Sequence, residues 1–303
     1  MQKDSLDSSK IKILICCHKP CELPKDDIFL PIQVGATISD IDLGMQRDDQ
    51  VNGEACDNIS AKNKSYCELT AMYWAWKNIK KLYPDLEYIG LNHYRRYFAF
   101  DKRNFLDDAI VRSEKDVISY RLNHRRLADI LLHGKALVSK PRHYPYPLHI
   151  DYCVSHVSYD FRMMRKIIHD VCPDYDLAFY SVMMRNNALS PYNMFVIGWA
   201  DFESYCTWLF KILGEAEKRI NIENYSNVQK RIFGYMAERL LNVWLYKNRL
   251  KTRKLNIYKF TDSEWQLRGM KKVCKNILSA VSFFAQKPHR KKIANLAWYT
   301  ETI

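Results

Sequence analysis

Short apolar runs and amphipathic stretches alternate along the first part of the chain. Each short apolar run predicts a buried strand, and each stretch with apolar residues three or four positions apart predicts a helix. The predicted strands are 11–17, 29–36, 88–91, 136–139 and 193–198, and the predicted helices of this part are 65–81 and 119–132. Alternation of this kind indicates an α/β fold with a doubly wound, mainly parallel sheet.

From residue 151 onward the pattern becomes mostly helical. Further helices are predicted at 159–169, 174–185, 201–217 and 228–247. The C-terminal half is therefore expected to be helix-rich. We predict three parts: a flexible N-terminus over 1–10, a folded domain over 11–258, and a basic amphipathic tail over 259–303.

The net charge of +13 is concentrated at the C-terminal end. From Lys251 onward there are twelve Lys or Arg and three Asp or Glu, a balance of +9, which leaves +4 for the preceding residues. A nucleic-acid-binding domain is expected to carry positive charge on its folded body, so this distribution argues against one. The apolar positions of the tail suit either an anionic membrane surface or packing on the chain's own domain, and both remain open.

The nine cysteines do not predict a disulfide framework. Their number is odd, several lie in apolar segments, and the N-terminus lacks the apolar core of a signal peptide. No apolar run reaches the roughly 18 residues that cross a bilayer. We therefore expect a cytoplasmic protein, peripheral at the inner face of the plasma membrane.

The most informative segment is 88–98, in which a predicted strand runs directly into polar and cationic residues. His93, Arg95 and Arg96 follow the apolar positions. Ligands of open α/β sheets bind at the carboxyl ends of strands, and guanidinium groups offer forked donors and a permanent charge to phosphate or carboxylate. The segment therefore predicts an anion site, with a solvated basic turn as the alternative.

Other polar residues are candidates for ligand binding. Asn58, Ser60 and Asn63 lie in a long polar segment, and Glu68 lies in the first turn of the helix that follows. Such side chains bind hydroxyl groups, but they also cap helices or complement the helix dipole. Asn193 is unusual at the start of a strand, which makes a binding role plausible.

Two groups are candidates for a general base. His156 and Asp160 are four positions apart and, in a helix, share a face; a histidine–carboxylate pair suits proton transfer. Glu238 lies beside Arg239 within an apolar helix, where a charge needs a partner. A purely structural pairing is the alternative in both cases.

Several motifs resemble those of a bacterial family found in capsular and exopolysaccharide gene clusters and long labelled as of unknown function. The motifs are DNIS at 57–60, YCELT at 66–70, WAWKN at 74–78, GLNHYRRYF at 90–98, NMF at 193–195, YC at 205–206 with WLF at 208–210, and GYMAERL at 234–240. They fall within about residues 11–258. The family often has Asp-Thr before its Gly-Asp-Asn-Ile-Ser, and this chain departs from that pattern by having Glu-Ala-Cys between Gly53 and Asp57.

The resemblance implies a GT-A-type glycosyltransferase, and some members of the family are assigned to galactofuranose transfer. We accordingly interpret the protein as a hexosyltransferase that uses a UDP-sugar and extends a lipid-linked glycan of a capsule, exopolysaccharide or lipopolysaccharide. The alternatives are a non-catalytic partner of a polysaccharide assembly complex and a nucleic-acid-binding protein.

On this interpretation each candidate residue has a role. His18 and Lys19 border the nucleotide; Asn58, Ser60, Asn63, Glu68 and Asn193 hold nucleotide or sugar; His93, Arg95 and Arg96 receive the diphosphate; and Glu238 or the His156–Asp160 pair serves as the base. Negative charge grows on the leaving diphosphate during transfer, so positive groups must be preorganised there.

Mn²⁺ or Mg²⁺ is left open as a cofactor. Many sugar-nucleotide enzymes hold a metal with an Asp-x-Asp triplet at the end of a central strand, where this chain has His93-Tyr94-Arg95. The triplet formed by Asp40 and Asp42 opens the polar segment instead. We therefore assign no metal ligand and expect the arginines to supply the charge.

Overall fold

A mixed, mainly parallel β-sheet is the main scaffold of the protein. The computed structural model describes residues 7–103 and 107–262 and the single positions 274, 277, 278 and 281. The strands are β1 (Ile11–Cys17), β2 (Phe29–Gln33), β3 (Gln46–Arg47), β4 (Gln50–Val51), β5 (Glu54–Ala55), β6 (Tyr88–His93), β7 (Arg96–Phe98), β8 (Ala109–Arg112), β9 (Ala136–Ser139), β10 (Arg142–His143), β11 (Ala188–Leu189), β12 (Phe195–Gly198), β13 (Thr252–Leu255) and β14 (Ile257–Phe260). The α-helices are α1 (Asn63–Tyr66), α2 (Leu69–Leu82), α3 (His124–Leu132), α4 (Leu148–Ser155), α5 (Ser158–Val171), α6 (Asp176–Phe179), α7 (Trp199–Arg219) and α8 (Ile232–Lys247).

The main sheet has the strand order β13-β9-β12-β6-β1-β2-β3, and β7, β8 and β14 extend it beside β6. Strand β1 pairs in parallel with both β2 and β6, as expected for a doubly wound sheet. Strand β12 is antiparallel to both of its neighbours, β6 and β9. The predicted α/β class with a mainly parallel sheet is confirmed, and strands β12 and β7 run antiparallel to their neighbours.

Several predicted elements match the structure and others end at a backbone irregularity. The strands predicted at 11–17 and 136–139 have these bounds. The helix predicted at 65–81 is divided into α1 and α2, because Cys67 has a left-handed φ of 53° that a continuous helix does not allow. The segment predicted as one helix at 174–185 consists of a 3₁₀ turn, the short α6 and a π-helical turn.

The described chain divides into two compact units. The first comprises the residues up to Lys140, Pro191–Trp208 and the described residues from Leu250 onward, and it contains the main sheet. The second comprises Pro141–Ser190 and Leu209–Arg249. It consists mostly of helices with the small β10–β11 ladder, which agrees with the helix-rich C-terminal half that was predicted.

One face of the sheet in the first unit is covered by an aromatic cluster. Tyr97 packs edge-to-face against Phe29 and Phe260, and Tyr120 lies 4.9 Å from Tyr97 between ring centroids. Aromatic pairs at these separations contribute about 0.5–1.5 kcal/mol beyond the burial of their area. The cluster therefore packs strands β7 and β14 against β2.

The predicted terminal segments lie largely outside the described residues. Of the N-terminal segment, Ser8–Lys10 forms a 3₁₀ turn. Of the amphipathic tail predicted over 259–303, residues 259–262 and the single positions Cys274, Ile277, Leu278 and Val281 are described, and the last four are exposed. Strand β14 continues through Phe260, two residues beyond the predicted domain end. None of the described helices is both long and apolar enough to cross a membrane.

We expect Gly90→Ala to destabilise the sheet. A Cβ at Gly90 would lie 2.8 Å from Val196 Cγ2 and 2.9 Å from the carbonyl oxygen of Phe195. Forcing a methyl group into such a packed position costs about 1–3 kcal/mol. Gly214→Ala in α7 is the matched control, since no atom lies within 4 Å of its added Cβ, and it should stabilise the helix by about 0.5–1 kcal/mol. Urea unfolding of the two variants measures both effects, and equal stability of Gly90→Ala and wild type would contradict the packing described.

Candidate functional site

One edge of the sheet collects most of the predicted donor-binding residues. Strands β1, β2 and β6 are parallel neighbours, so their carboxyl ends meet at this edge. Strand β12 is antiparallel to β6 and therefore begins there. His18 and Lys19 follow β1, His93 ends β6, Arg95 and Arg96 come next, and Asn193 precedes β12. Ligands of open α/β sheets bind at this edge.

A strained turn leads into β12. Tyr192 and Asn193 have left-handed φ values of 76° and 53°, which are unfavourable for residues other than glycine. The carbonyl oxygen of Tyr192 accepts a hydrogen bond of 2.7 Å from His93 Nε2, so this nitrogen carries the hydrogen. Asn193 Nδ2 donates to Glu68 Oε1 at 2.7 Å. Strain held in this way is characteristic of functional sites.

The ring of Tyr94 is surrounded by the cationic residues of the edge. The His18 ring packs edge-to-face on it at 5.2 Å, Lys19 Nζ lies 5.9 Å from its centre, and the guanidinium of Arg95 lies 5.0 Å from its centre. Arg95 Nη2 also pairs with Glu114 Oε2 at 3.1 Å. Both side chains of this ion pair are about one-third exposed, and such a pair contributes little stability, so an anionic ligand can replace Glu114 at small cost.

Two buried polar atoms at the same edge lack a hydrogen-bond partner within the described part of the chain: Asn92 Oδ1 and Arg96 Nε. Asn92 is only 1% exposed, and the guanidinium of Arg96 stacks over the Tyr192 ring at 4.5 Å. A buried polar atom without a partner costs about 1–3 kcal/mol. Such atoms call for an explanation, and a bound polar ligand is one.

The polar segment is organised around a buried carboxylate. Asp48 accepts hydrogen bonds from the backbone N–H groups of Gly35 and Ala36 and from the hydroxyl of Ser60. Asn58 accepts from the backbone N–H of Ser60 at 3.0 Å. Asp48 and Ser60 are both fully buried. These contacts fasten the loop that follows β2 to the segment before α1.

Asn63 also has partners within this loop region. Its Nδ2 donates to the carbonyl oxygen of Cys67 at 2.8 Å and to Thr70 Oγ1 at 3.1 Å. A Cβ on Gly35 would lie 2.8 Å from the Asn63 Cβ, so the two segments touch directly. The structure thus gives the three polar-segment residues an internal role, and their contact with a donor stays a prediction.

The predicted base candidates lie in the second unit, and Glu238 belongs to an ion cluster there. Arg239 is nearly buried and pairs with Glu238 Oε2 at 2.7 Å and with Asp151 Oδ2 at 3.5 Å. The guanidinium also lies over the Tyr152 ring. Burial raises the pKa of the Asp151 carboxyl, against the opposing effect of the Arg239 charge. Arg239 is thus the partner that the sequence required for Glu238.

The prediction that His156 and Asp160 share a helical face is wrong. Helix α5 begins at Ser158, and His156 has an extended backbone with a φ of −138°. Asp160 Oδ1 accepts a hydrogen bond of 2.7 Å from Tyr225, and the His156 ring stacks on Tyr235 at 4.0 Å. Burial raises the pKa of Asp160 to about 6, whereas burial and the Arg239 charge lower the pKa of His156 to about 4.

The structure does not decide whether the protein uses a metal ion. In residues 7–103 and 107–262 no group of three or more His, Cys, Asp or Glu is arranged to hold an ion. Asp40 and Asp42 are exposed, and Asp42 accepts the backbone N–H of Gly44 at 2.8 Å in a turn. Cofactor use therefore stays as open as the sequence left it.

Four residues of the edge were not found from the sequence: Asp48, Tyr94, Tyr192 and Glu114. Asp48 is one of several acidic residues in the polar segment, and nothing in the pattern distinguishes it. Tyr94 lies within the motif GLNHYRRYF and Tyr192 adjoins the motif NMF, and their neighbours were chosen instead because charged and amide groups point more directly to phosphate. Glu114 is distant in sequence from its partner Arg95, and only the fold brings the two together.

We expect substitution of Asn193 to separate backbone strain from hydrogen bonding. Both Asn193→Ala and Asn193→Gly lose the bond to Glu68, but only glycine adopts the left-handed conformation freely. Asn193→Ala should therefore be less stable than Asn193→Gly by about 1 kcal/mol. Urea unfolding measures the difference, and equal stabilities would show that the turn is not strained.

We expect two opposing pH dependences in the second unit. Asp160 has a folded pKa of about 6 against 3.8 in its ordinary state, so its contribution is present below about pH 3.8 and is lost as pH rises towards 6. His156 has a folded pKa of about 4 against 6.5, so its contribution is present above about pH 6.5 and is lost as pH falls towards 4. Relative to wild type, Asp160→Asn should gain stability as pH rises from 4 to 6.5, and His156→Gln should lose it. Calorimetric melting across this range checks the signs, and slopes unchanged by the two substitutions would refute the assignment.

Comparisons with known proteins agree with the α/β fold of the chain. A solved structure described as the apo form of the WbbM bifunctional glycosyltransferase is similar to this chain, with a TM-score of 0.71 and 27% sequence identity. The alignment covers 84% of this chain and 46% of that chain, so this chain spans about half the length of that protein. No curated protein matches the chain significantly.

The family comparison covers most of the described chain. A family described as a domain of unknown function, DUF4422, matches residues 12–249, which include the main sheet up to β12 and every predicted site residue. The match extends across both compact units. The chain therefore belongs to the DUF4422 family.

Proposed function

We propose that this protein is a glycosyltransferase that transfers a hexosyl residue from a UDP-sugar to a lipid-linked glycan. The observation that carries the proposal is the likeness to the WbbM bifunctional glycosyltransferase structure over 84% of this chain. The aligned region is less than half of that protein, so this chain's own residues must account for the chemistry. The family resemblance alone supports two finer points of the proposal. The transferred sugar includes galactofuranose, and the product is a capsule, an exopolysaccharide or a lipopolysaccharide.

The positive groups of the sheet edge suit the leaving diphosphate. Transfer breaks the bond between the anomeric carbon and a phosphate oxygen, and the negative charge that develops there needs preorganised donors. Arg95, Arg96 and Lys19 meet this need. The aromatic rings of Tyr94 and Tyr192 hold the two guanidiniums by stacking, which keeps their planar donor groups oriented.

The strained turn suits the recognition of the sugar. Glu68 and Asn193 form a hydrogen-bonded carboxylate–amide pair at the start of β12. Carboxylate and amide groups held in one orientation accept and donate to vicinal hydroxyl groups. In this proposal His93 receives the diphosphate together with the arginines, and its Nε2 also positions the turn through the carbonyl of Tyr192.

The acceptor hydroxyl needs a base. Glu238 stays a candidate as the partner of Arg239, and Asp160, with its raised pKa, is the second. Burial and the Arg239 charge lower the pKa of His156 to about 4, which makes its ring a weaker base than Asp160 at neutral pH. The basic tail supports an action at the cytoplasmic membrane face through its charge alone.

The proposal is tested by UDP release from UDP-galactose, UDP-glucose and UDP-galactofuranose, with and without a membrane extract that contains lipid-linked glycan. Arg95→Ala should lower kcat by about 100-fold or more, because it removes a donor aimed at the leaving group. Arg125→Ala, an exposed arginine on α3, is the matched control and should retain wild-type turnover. Absence of turnover with every donor, or equal turnover of the two variants, would contradict the proposed role.

Glu114→Gln gives an independent test of Arg95. Removal of the competing carboxylate frees the guanidinium, so KM for the active donor should fall several-fold while kcat changes less. An unchanged KM would show that Arg95 does not touch the donor.

A further inference from the structure

A cavity lies in the first unit, and its lining includes none of the predicted donor-binding residues. Its volume is about 710 Å³, within the range of about 300–1,000 Å³ that small-molecule sites occupy. Its apolar lining is mostly aromatic and consists of Phe100, Tyr120, Tyr258, Phe260 and Leu122. The four aromatic side chains are nearly buried, since none is more than 7% exposed. Buried aromatic side chains therefore form the apolar part of the cavity surface.

The rim of the cavity is polar and balanced in charge. It includes two carboxylates, Asp101 and Asp116, and two guanidiniums, Arg112 and Arg121. Tyr258 Oη donates to Asp101 Oδ1 at 2.7 Å, and the Arg112 guanidinium lies 5.3 Å from the centre of the Tyr258 ring. The polar groups are therefore held in position around the aromatic side chains.

This combination of aromatic and polar groups favours a carbohydrate as the ligand. The balanced charge gives no net attraction for a polyanion, and the polar rim does not suit an acyl chain. A sugar ring has an apolar face of C–H groups, which packs on an aromatic ring, and hydroxyl groups that both donate and accept. The carboxylates accept from such hydroxyls and the guanidiniums donate to them. The volume accommodates more than one sugar ring.

We propose that this cavity binds a saccharide and, resting on the proposed function, that this saccharide is part of the acceptor glycan. Asp116 and Ser119 of its lining belong to the 3₁₀ helix Glu114–Ser119, whose first residue pairs with Arg95 of the donor cluster. Ser113 Oγ donates to Asp262 at 2.9 Å, which anchors the start of this helix just after β14. One short helix therefore contributes to both groups of residues.

The 3₁₀ helix Glu114–Ser119 links the cavity to the donor cluster. A saccharide bound to Asp116 contacts the helix that also carries Glu114, the residue that competes with a donor for Arg95. Acceptor binding and donor binding are therefore expected to be thermodynamically linked, and the linkage is reciprocal.

The proposal is tested by saturation-transfer difference NMR on the full-length protein, with methyl β-D-galactopyranoside, methyl α-D-glucopyranoside and lactose as probes. At least one probe should receive saturation, and Asp116→Asn should weaken its affinity by about tenfold, as loss of a hydrogen bond to a charged group does. Asp129→Asn on α3 is the matched control, since Asp129 is also an exposed aspartate and lies outside the cavity lining. Tyr258→Phe is the second variant; it removes the hydrogen bond to Asp101 with little change of shape, and it should also weaken binding.

Both variants are expected to fold, because Asp116 is exposed and Tyr258→Phe keeps the aromatic ring. If no probe binds, or if Asp116→Asn and Asp129→Asn behave alike and Tyr258→Phe matches wild type, the proposal is overturned. A parallel titration of UDP into the wild-type protein distinguishes failure of the cavity proposal from failure of the proposed transferase function. UDP binding without saccharide binding refutes the cavity proposal alone, whereas saccharide binding that depends on Asp116 in a protein that binds no UDP supports the cavity and refutes the proposed transferase.

Discussion

The hydrogen bond between Asn193 and Glu68 is the constraint on which the candidate site depends. Strand β12 runs antiparallel to β6, and the chain enters β12 through two successive left-handed residues, Tyr192 and Asn193. Each such residue costs about 1–3 kcal/mol. A hydrogen bond to a charged group contributes about 1.5–3 kcal/mol, so the Asn193–Glu68 bond and the bond from His93 to Tyr192 offset most of this cost.

The same constraint explains why the cationic residues gather where they do. The held turn places the Tyr192 ring under Arg96, while the direct continuation of β6 places Tyr94 under Arg95. The long polar segment is fastened separately, through Asp48, so its amides and hydroxyls mainly build the loop. Among the described residues, the edge thus combines guanidiniums held over aromatic rings with two buried polar atoms that have no hydrogen-bond partner, Asn92 Oδ1 and Arg96 Nε, and this combination favours an anionic polar ligand.

The sequence predicted the class of fold and the edge at which these residues meet, because alternating apolar runs specify strands and the last residues of parallel strands share one edge. It did not predict that β12 is reversed, since an apolar run carries no direction. Cys67 interrupts the predicted helix through a backbone angle that residue type does not encode. The proposed pairing of His156 with Asp160 required both residues in one helix, whereas His156 lies between the end of α4 at Ser155 and the start of α5 at Ser158. The ion pair of Arg95 with Glu114 depends on tertiary contact alone.

The central claim is that the arginines of this edge receive the diphosphate of a UDP-sugar. Calorimetric titration of UDP into the full-length protein, once with Mn²⁺ and once with excess chelator, tests it most directly. The account predicts binding under both conditions with similar affinity, because Arg95, Arg96 and Lys19 supply the positive charge. Binding only with Mn²⁺, or binding under neither condition, would contradict it.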